Sequence, residues 1–244
     1  MCIAGGRIDS LTPAILGKIE DSRPGPLKQV GAHEHLFFEG DDRSGLYIVE
    51  SGWVKLYRTL IDGQRQVVGF ANAGSILGLE SDDTYVNGCE TITAVTVRAI
   101  PGGSLKDICQ RDALLAEQLL RQVGRQLGAA QAQLAAVGAQ SAEQKLASFL
   151  LSVADLCDAT HGGDFDLPMR RGDMAEFLGL RLETVSRKMT EFQRRGWIEM
   201  TSLYHCRIAR RHMLQELAEG GECNEAALKT IPQRARTTSS GLAA

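Results

Sequence analysis

Apolar residues between about Gly31 and Pro101 occur in short runs that are either continuous or alternate with polar residues. Glycine-bearing turns separate the runs at nearly regular intervals, and no long helical period interrupts them. Many short strands with this spacing are typical of a jelly-roll barrel or sandwich. The pattern predicts a double-stranded β-barrel whose strand runs include HLFF, LYIVE, WVKLYRTL, QVVGFA and TITAVTVRAI.

A helical period replaces the strand pattern after Pro101. Apolar residues recur there at alternating steps of four and three, which places them on one stripe of a long helix. The stripe needs an apolar partner, and the same helix of a second copy is the simplest one, so we expect a homodimer. A surface helix packed on its own barrel is the alternative, because Gly124 and Gly128 lower helix stability. The predicted dimer interface consists of Leu120, Val123, Leu127, Ala130, Leu134 and Val137.

The segment RGDMAEFLGLRLETVSRKMTEFQRRG has the spacing of a helix-turn-helix. Its first apolar residues predict a short helix, and Gly179 permits a sharp turn because glycine accepts positive φ. A second helix is predicted from Leu182 to Arg195, with Val185 on its inner side. In this motif the second helix enters the DNA major groove. An ordinary helical hairpin with a solvated charged face is the alternative.

The outward face of the second helix carries side chains suited to reading bases. Residues three and four apart share a helical face, which groups Glu183 with Ser186 and Arg187. Arginine binds the O6 and N7 atoms of guanine with two hydrogen bonds, and a carboxylate accepts one from cytosine N4. The predicted base-reading residues are Leu182, Glu183, Ser186 and Arg187.

The segment WIEMTSLYHCRIAR predicts two short strands around a turn at Thr201–Ser202. A hairpin beside a recognition helix forms a wing, and its cationic side chains can bind phosphates. A hairpin with a purely structural role is the alternative. The predicted phosphate contacts are Arg171, Thr184, Lys188, Arg207 and Arg210.

The distribution of charge along the chain also supports a DNA-binding protein. The 244-residue chain has a net charge of −3, yet residues 168–213 hold ten Lys or Arg against five Asp or Glu. A local basic block in an acidic chain is typical of a nucleic-acid partner. No apolar run is long enough to span a membrane, and the start does not resemble a secretory leader. Six widely separated cysteines without a CxxC pair are typical of reduced thiols, so we expect a cytoplasmic protein with no membrane partner.

The changes of period predict an α+β chain. Its predicted parts are an N-terminal arm (1–24), a β-barrel (25–110), a dimerisation helix (111–139), a winged helix-turn-helix (140–220) and a flexible tail (221–244). Within the fourth part a helix is expected from about Ser141 to Ala159.

The chain resembles the Crp/Fnr superfamily of bacterial transcription regulators from about Gly31 to Ala218. The resemblance is carried by LFFEGDDRSGLYIVESGWVKLYR, by the glycine-rich GFANAGSILGL and by the helix-turn-helix segment. It implies a cyclic-nucleotide-binding-like barrel, a dimer on palindromic DNA and activation through RNA polymerase. The pattern Glu183-Thr-Val-Ser186-Arg187 is similar to the recognition signature of the Fnr and FixK branches. That signature implies a TTGAT-(four bases)-ATCAA operator, whereas Leu182 stands where the cyclic-AMP branch has an arginine.

The resemblance also bears on what the barrel senses. The Fnr branch holds an iron–sulfur cluster on clustered N-terminal cysteines, but Cys2 is the only cysteine before Cys89. Asp82 and Asp83 stand where a cyclic phosphate would need a cation. We therefore expect no cofactor and a FixK-like regulator of low-oxygen or nitrogen-oxide genes. A barrel with an unknown effector, or a thiol switch at Cys206, is the alternative.

An enzyme is the competing class. His33 and His35 followed by Glu39 match the spacing of the first metal motif of cupin dioxygenases. Alternate residues of one strand face the same side, so both histidines could reach one metal. A cupin needs a third histidine, and none occurs between Glu39 and His161. The sequence therefore favours a protein that is not an enzyme and has no metal site.

Overall fold

A computed structural model gives the fold. The described residues are 25–79, 83–101, 107, 109–114, 116, 117, 120, 121, 123, 124, 127, 128, 131, 140–157, 159, 164–202 and 204–220. The predicted N-terminal arm and C-terminal tail lie outside them.

The N-terminal part, here called the β-domain, contains eight antiparallel strands. They are β1 Leu27–Val30, β2 His35–Phe37, β3 Gly45–Ser51, β4 Val54–Thr59, β5 Arg65–Ala71, β6 Ile76–Leu77, β7 Gly88–Thr91 and β8 Val95–Pro101. Two four-stranded sheets result, with the orders β1-β8-β3-β6 and β2-β7-β4-β5. The predicted β-rich domain is confirmed, but its described strands form two packed sheets and no closed barrel.

Small apolar side chains from both sheets meet in one core. Val49 and Val97 come from the first sheet, and Val54 and Leu56 come from the second. Each is fully buried, because alternate residues of a strand point to the same side. Gly52 forms the turn between β3 and β4 at φ 86°, and a Cβ there would lie 2.3 Å from a backbone oxygen.

A helical segment follows the β-domain. The described positions between 107 and 131 are helical except Asp112, and they are here called the central helix. Leu120, Val123 and Leu127 of the predicted dimer interface are 72%, 43% and 59% exposed in the single chain. The other predicted interface residues, Ala130, Leu134 and Val137, lie outside the described residues.

The C-terminal part, here called the winged-helix domain, has four helices and a small sheet. Its elements are α1 Ala142–Leu156, β9 Asp164–Asp166, α2 Arg171–Leu178, α3 Leu182–Arg194, β10 Ile198–Met200, β11 His205–Ile208 and α4 Arg211–Ala218. Ser141 and Gln144 form a capping box that begins α1 at Ala142. The helix ends at Leu156, so both ends lie slightly inside the predicted bounds. The strands pair antiparallel in the order β10-β11-β9.

The two domains share one apolar cluster. Helix α2 packs on β5, and Phe70 of β5 lies 5.4 Å from Phe177 of α2 between ring centroids. Phe149 of α1 completes the group at 5.9 Å from Phe70 and 5.7 Å from Phe177. Aromatic rings at such distances bury large areas and attract one another. The recognition motif is therefore docked directly on the β-domain.

Among the described helices, none has both the length and the hydropathy that a membrane span requires.

Candidate DNA-binding surface

The turn between α2 and α3 determines how the candidate surface is presented. Gly179 adopts φ 63° and ψ 40°, the left-handed conformation that ends a helix with little steric cost for glycine. The following Leu180 N–H donates to the Ala175 carbonyl at 2.9 Å. Val185, Met189 and Phe192 anchor α3 in the domain core, where each is at most 2% exposed. The opposite face of α3 is thereby turned to solvent.

The structure brings the predicted base-reading residues together on this outward face. Leu182, Glu183 and Arg187 are exposed, and Ser186 is half-buried beside them. Within the described residues, the Arg187 guanidinium and the Glu183 carboxylate make no hydrogen bond or ion pair. Both groups are free to bind a base edge.

The residues predicted to contact phosphates differ in their exposure and in their present partners. Arg210 is exposed just before α4, and Thr184 is half-buried in the first turn of α3. The side chain of Arg171 is half-buried against the sulfur atoms of Met174 and Met200, at 3.5 and 3.9 Å.

Lys188 and Arg207 are held by carboxylates of their own domain. Lys188 Nζ forms ion pairs with Glu143 and, at 2.9 Å, with Glu191. Arg207 Nε lies 2.8 Å from Asp164 Oδ1, and its Nη1 lies 3.5 Å from Glu199. In the free protein these carboxylates compensate the positive charges of Lys188 and Arg207.

Exposed arginines that sequence reasoning did not assign to DNA lie near the same face. Arg181 precedes α3 as its N-cap residue, and Arg194 lies at its end. Their only signal in the sequence was the basic composition of the block, which does not distinguish exposed side chains from paired ones.

Comparisons with known proteins agree with this geometry. Residues 144–217 match the Crp-like helix-turn-helix domain, and residues 27–112 match the cyclic nucleotide-binding domain. The transcriptional activatory protein AadR of Rhodopseudomonas palustris is 38% identical over 170 residues, which cover 67% of this chain and 70% of that protein. The chain belongs to the Crp/Fnr superfamily of transcription regulators.

Other Crp/Fnr proteins resemble the chain over most of their length. The nitrogen fixation regulation protein FixK of Bradyrhizobium diazoefficiens is 31% identical over 77% of this chain and 82% of its own. The structure of FixK2 from Bradyrhizobium japonicum matches with a TM-score of 0.74 and 29% identity, covering 79% of this chain and 96% of that one. The predicted resemblance to the FixK-like branch is confirmed.

The positions of His33 and His35 argue against the cupin alternative. His33 lies in a turn before β2 with φ 64°, and its Nε2 atom is 2.9 Å from Arg170 Nη2. His35 lies on β2 and stacks on Phe38, with 4.5 Å between ring centroids. The premise of the cupin alternative, that both histidines project from one face of a strand, therefore does not hold. No cluster of three metal-ligating side chains occurs within the described part of the chain.

Aromatic side chains pack the interior of this Crp/Fnr β-domain. The ring of Phe37 stacks on Tyr85 at 3.9 Å between centroids and on Tyr47 at 5.8 Å. The Tyr85 hydroxyl donates to the Gly45 carbonyl at 3.0 Å. Asp82 lies outside the described residues, and Asp83 accepts a backbone hydrogen bond from Arg43.

Cys206 of the wing is buried, and its thiol stays protonated. Burial raises the pKa of its thiol to about 12, although the nearby Arg171 charge partly opposes the shift. The reactive species of cysteine is the thiolate, and about one thiol in ten thousand is ionised four pH units below its pKa. A thiol switch at Cys206 is therefore disfavoured in the folded protein.

Alkylation of the folded protein tests this assignment. At pH 8 we expect iodoacetamide to modify Cys206 at least about 100-fold more slowly than in the urea-unfolded chain, because burial suppresses both ionisation and access. Peptide mass spectrometry measures both rates. Cys157, which is half-buried, is the internal control and should react faster in the folded state. Equal rates for Cys206 in the folded and unfolded protein would contradict the assignment.

Proposed function

We propose that this Crp/Fnr regulator is a homodimer that recognises a TTGAT-(four bases)-ATCAA palindrome through α3. The observation that carries the proposal is the outward face of α3, where Glu183 and Arg187 are exposed and unpaired beside Ser186. Arginine suits the guanine of each TTG arm, and glutamate suits the cytosine paired with it. These two residues therefore supply the base discrimination.

Phosphate contacts supply affinity in this proposal. In this proposal Arg210 and Thr184 contact the DNA backbone, and the exposed Arg181 adds a positive charge at the start of α3. Arg171, Lys188 and Arg207 reach a phosphate only by leaving their present partners. Phosphate contacts are independent of sequence and weaken with salt.

Dimerisation follows from the exposed apolar stripe of the central helix. A helix that exposes Leu120 and Leu127 to water in the single chain gains free energy by pairing with a second copy. A twofold dimer binds two half-sites about 34–36 Å apart, one turn of DNA, which matches a palindrome.

The names of the relatives support the expectation about which genes this protein regulates. AadR is named as a transcriptional activatory protein, FixK as a regulator of nitrogen fixation, and the Shigella dysenteriae relative as a regulator of fumarate and nitrate reduction. By analogy we assign this protein to the activation, through RNA polymerase, of genes used at low oxygen or with nitrogen oxides.

Fluorescence anisotropy tests the proposal. Protein purified in air, with no ligand added, is titrated onto a TTGAT-(four bases)-ATCAA duplex and onto a duplex with both TTG arms scrambled. We expect the palindrome to bind at least about a thousandfold more tightly. Binding that does not depend on the arms would contradict the proposal and favour either another operator or a regulator that requires an effector.

A further inference from the structure

A partly buried ion pair joins the β-domain to the winged-helix domain. Lys55 Nζ on β4 lies 2.8 Å from Asp173 Oδ1 on α2 and 3.2 Å from Glu90 Oε1 on β7. The side chains of Lys55, Asp173 and Glu90 are only 18%, 11% and 12% exposed. Lys55 and Asp173 are 118 residues apart in sequence, so this contact exists only when the two domains are docked.

Asp173 links the ion pair to the recognition motif. Its second carboxylate oxygen, Oδ2, accepts a hydrogen bond from the Arg170 backbone N–H at 3.0 Å and so caps the first turn of α2. Helix α2 continues through the Gly179 turn into α3. A group that holds the start of α2 therefore also orients the recognition helix relative to the β-domain.

The charges around Lys55 keep it ionised. Burial alone would lower the pKa of Lys55, but the hydrogen bonds and charges of Asp173 and Glu90 outweigh burial and leave the pKa above its usual value. Arg65 Nη1 lies 3.3 Å from the second oxygen of Glu90, which completes a network of two cations and two carboxylates. The network spans three strands of one sheet and α2.

Apolar and ionic contacts contribute differently to docking. The cluster of Phe70, Phe149 and Phe177 attracts the domains, but apolar attraction has no preferred direction. The ion pair has a definite geometry, and breaking it leaves the largely buried Asp173 carboxylate without its cationic partner, which is unfavourable. A rotation or slide of α2 on β5 that preserved apolar contact would still break the Lys55–Asp173 pair.

We propose that Lys55 is a positioning residue for operator binding. Its ion pair with Asp173 sets the separation and angle of the two recognition helices in the dimer, and so the spacing of half-sites that the dimer accepts. The inference rests on the proposed palindrome binding. One added base pair moves a half-site by about 3.4 Å and rotates it by about 35°, so a rigid dimer accepts one spacing and a loosened dimer accepts several.

A series of spacers tests this role in the full-length protein. Anisotropy is measured on palindromes with three, four, five and six bases between the arms, and on a duplex with one TTGAT arm. For the wild type we expect a loss of at least about tenfold when the preferred spacer changes by one base pair. For Lys55→Met we expect about tenfold weaker binding to the preferred palindrome, a spacer dependence below about threefold and unchanged single-arm binding.

Matched variants separate positioning from general stability. Lys55→Arg retains the cation and should restore affinity and spacer preference. The double variant K55M/D173N should bind no more weakly than K55M, because both changes remove the same ion pair while the asparagine oxygen still accepts the capping bond from the Arg170 N–H. Lys28→Met removes an exposed lysine of β1 and should behave as wild type.

Three results would overturn the inference, each in a recognisable way. A K55M protein with the wild-type spacer dependence would show that the ion pair does not set the spacing. An equal loss on the single-arm duplex would assign Lys55 to the stability of the winged-helix domain instead. Wild-type protein without arm-dependent binding would refute the proposed function itself, and this inference with it.

Discussion

Replacing Leu120 and Leu127 with glutamate should convert the proposed dimer into monomers and weaken binding to the proposed palindrome by at least about a hundredfold. Both leucines are more than half exposed in the single chain and lie seven residues apart on one helical face. Fully burying an exposed leucine stabilises by about 1.5–3 kcal/mol; because Leu120 and Leu127 are 72% and 59% exposed, the four leucines of a dimer contribute about 4–8 kcal/mol. Glutamate is a good helix former, so the central helix itself should persist.

Sedimentation equilibrium and anisotropy measure the two parts of this result. The variant should sediment as a monomer and bind a single-arm duplex as wild type does, since α3 is unchanged. The double variant Leu60→Glu and Ile61→Glu is the control, because it makes the same chemical change at an exposed apolar turn away from the stripe. A L120E/L127E protein that remained dimeric would place the interface elsewhere and favour a helix packed on its own β-domain.

Arg187→Ala should abolish discrimination at the guanine of each TTG arm. The exposed, unpaired guanidinium is proposed to make two hydrogen bonds to that base, and its loss should cost about 1–3 kcal/mol in each half-site. Wild type should bind a duplex with guanine changed to adenine much more weakly than the operator. The variant should bind both duplexes about equally, with its helical content unchanged.

Arg210→Ala is the matched control for this substitution. Arg210 is also exposed in the winged-helix domain, but a phosphate contact carries no base information. It should weaken binding to all sequences alike, reduce the slope of log K against log salt by about 1 for each protomer, and retain the preference for guanine. An Arg187→Ala protein that kept full discrimination would show that another residue reads this base.

Local patterns accounted for most of the architecture. Strand β4 falls within the predicted run WVKLYRTL, and β5 covers the run QVVGFA with one residue, Arg65, before it. The runs were recognisable because a half-buried strand needs apolar side chains at a period of two. The prediction for α3 ended one residue late, at Arg195, which instead caps the helix. The turn at Gly179 was predictable because its backbone angles are ones that few residues other than glycine adopt.

Side-chain partners were predictable to a much smaller extent. A sequence shows that Lys188 and Arg207 are cationic, but their carboxylates come from α1, α3, β9 and β10. Only the outward face of α3 was recoverable, since residues three and four apart on a helix share a face whatever surrounds it. The cupin alternative treated His33 and His35 as neighbours on one strand, but a turn with positive φ at His33 separates them.

The sequence by itself determined the order of the domains, the recognition turn and the residues on the outward face of α3. Each depends on side-chain periodicity or on backbone angles that only neighbouring residues influence. Tertiary structure alone decided which cations are free and how α2 docks on β5 through Lys55 and Asp173. The Lys55–Asp173 pair joins residues 118 positions apart, and the carboxylates that hold Lys188 and Arg207 come largely from other elements. The strength of such pairs depends on burial, which arises only when the chain has folded.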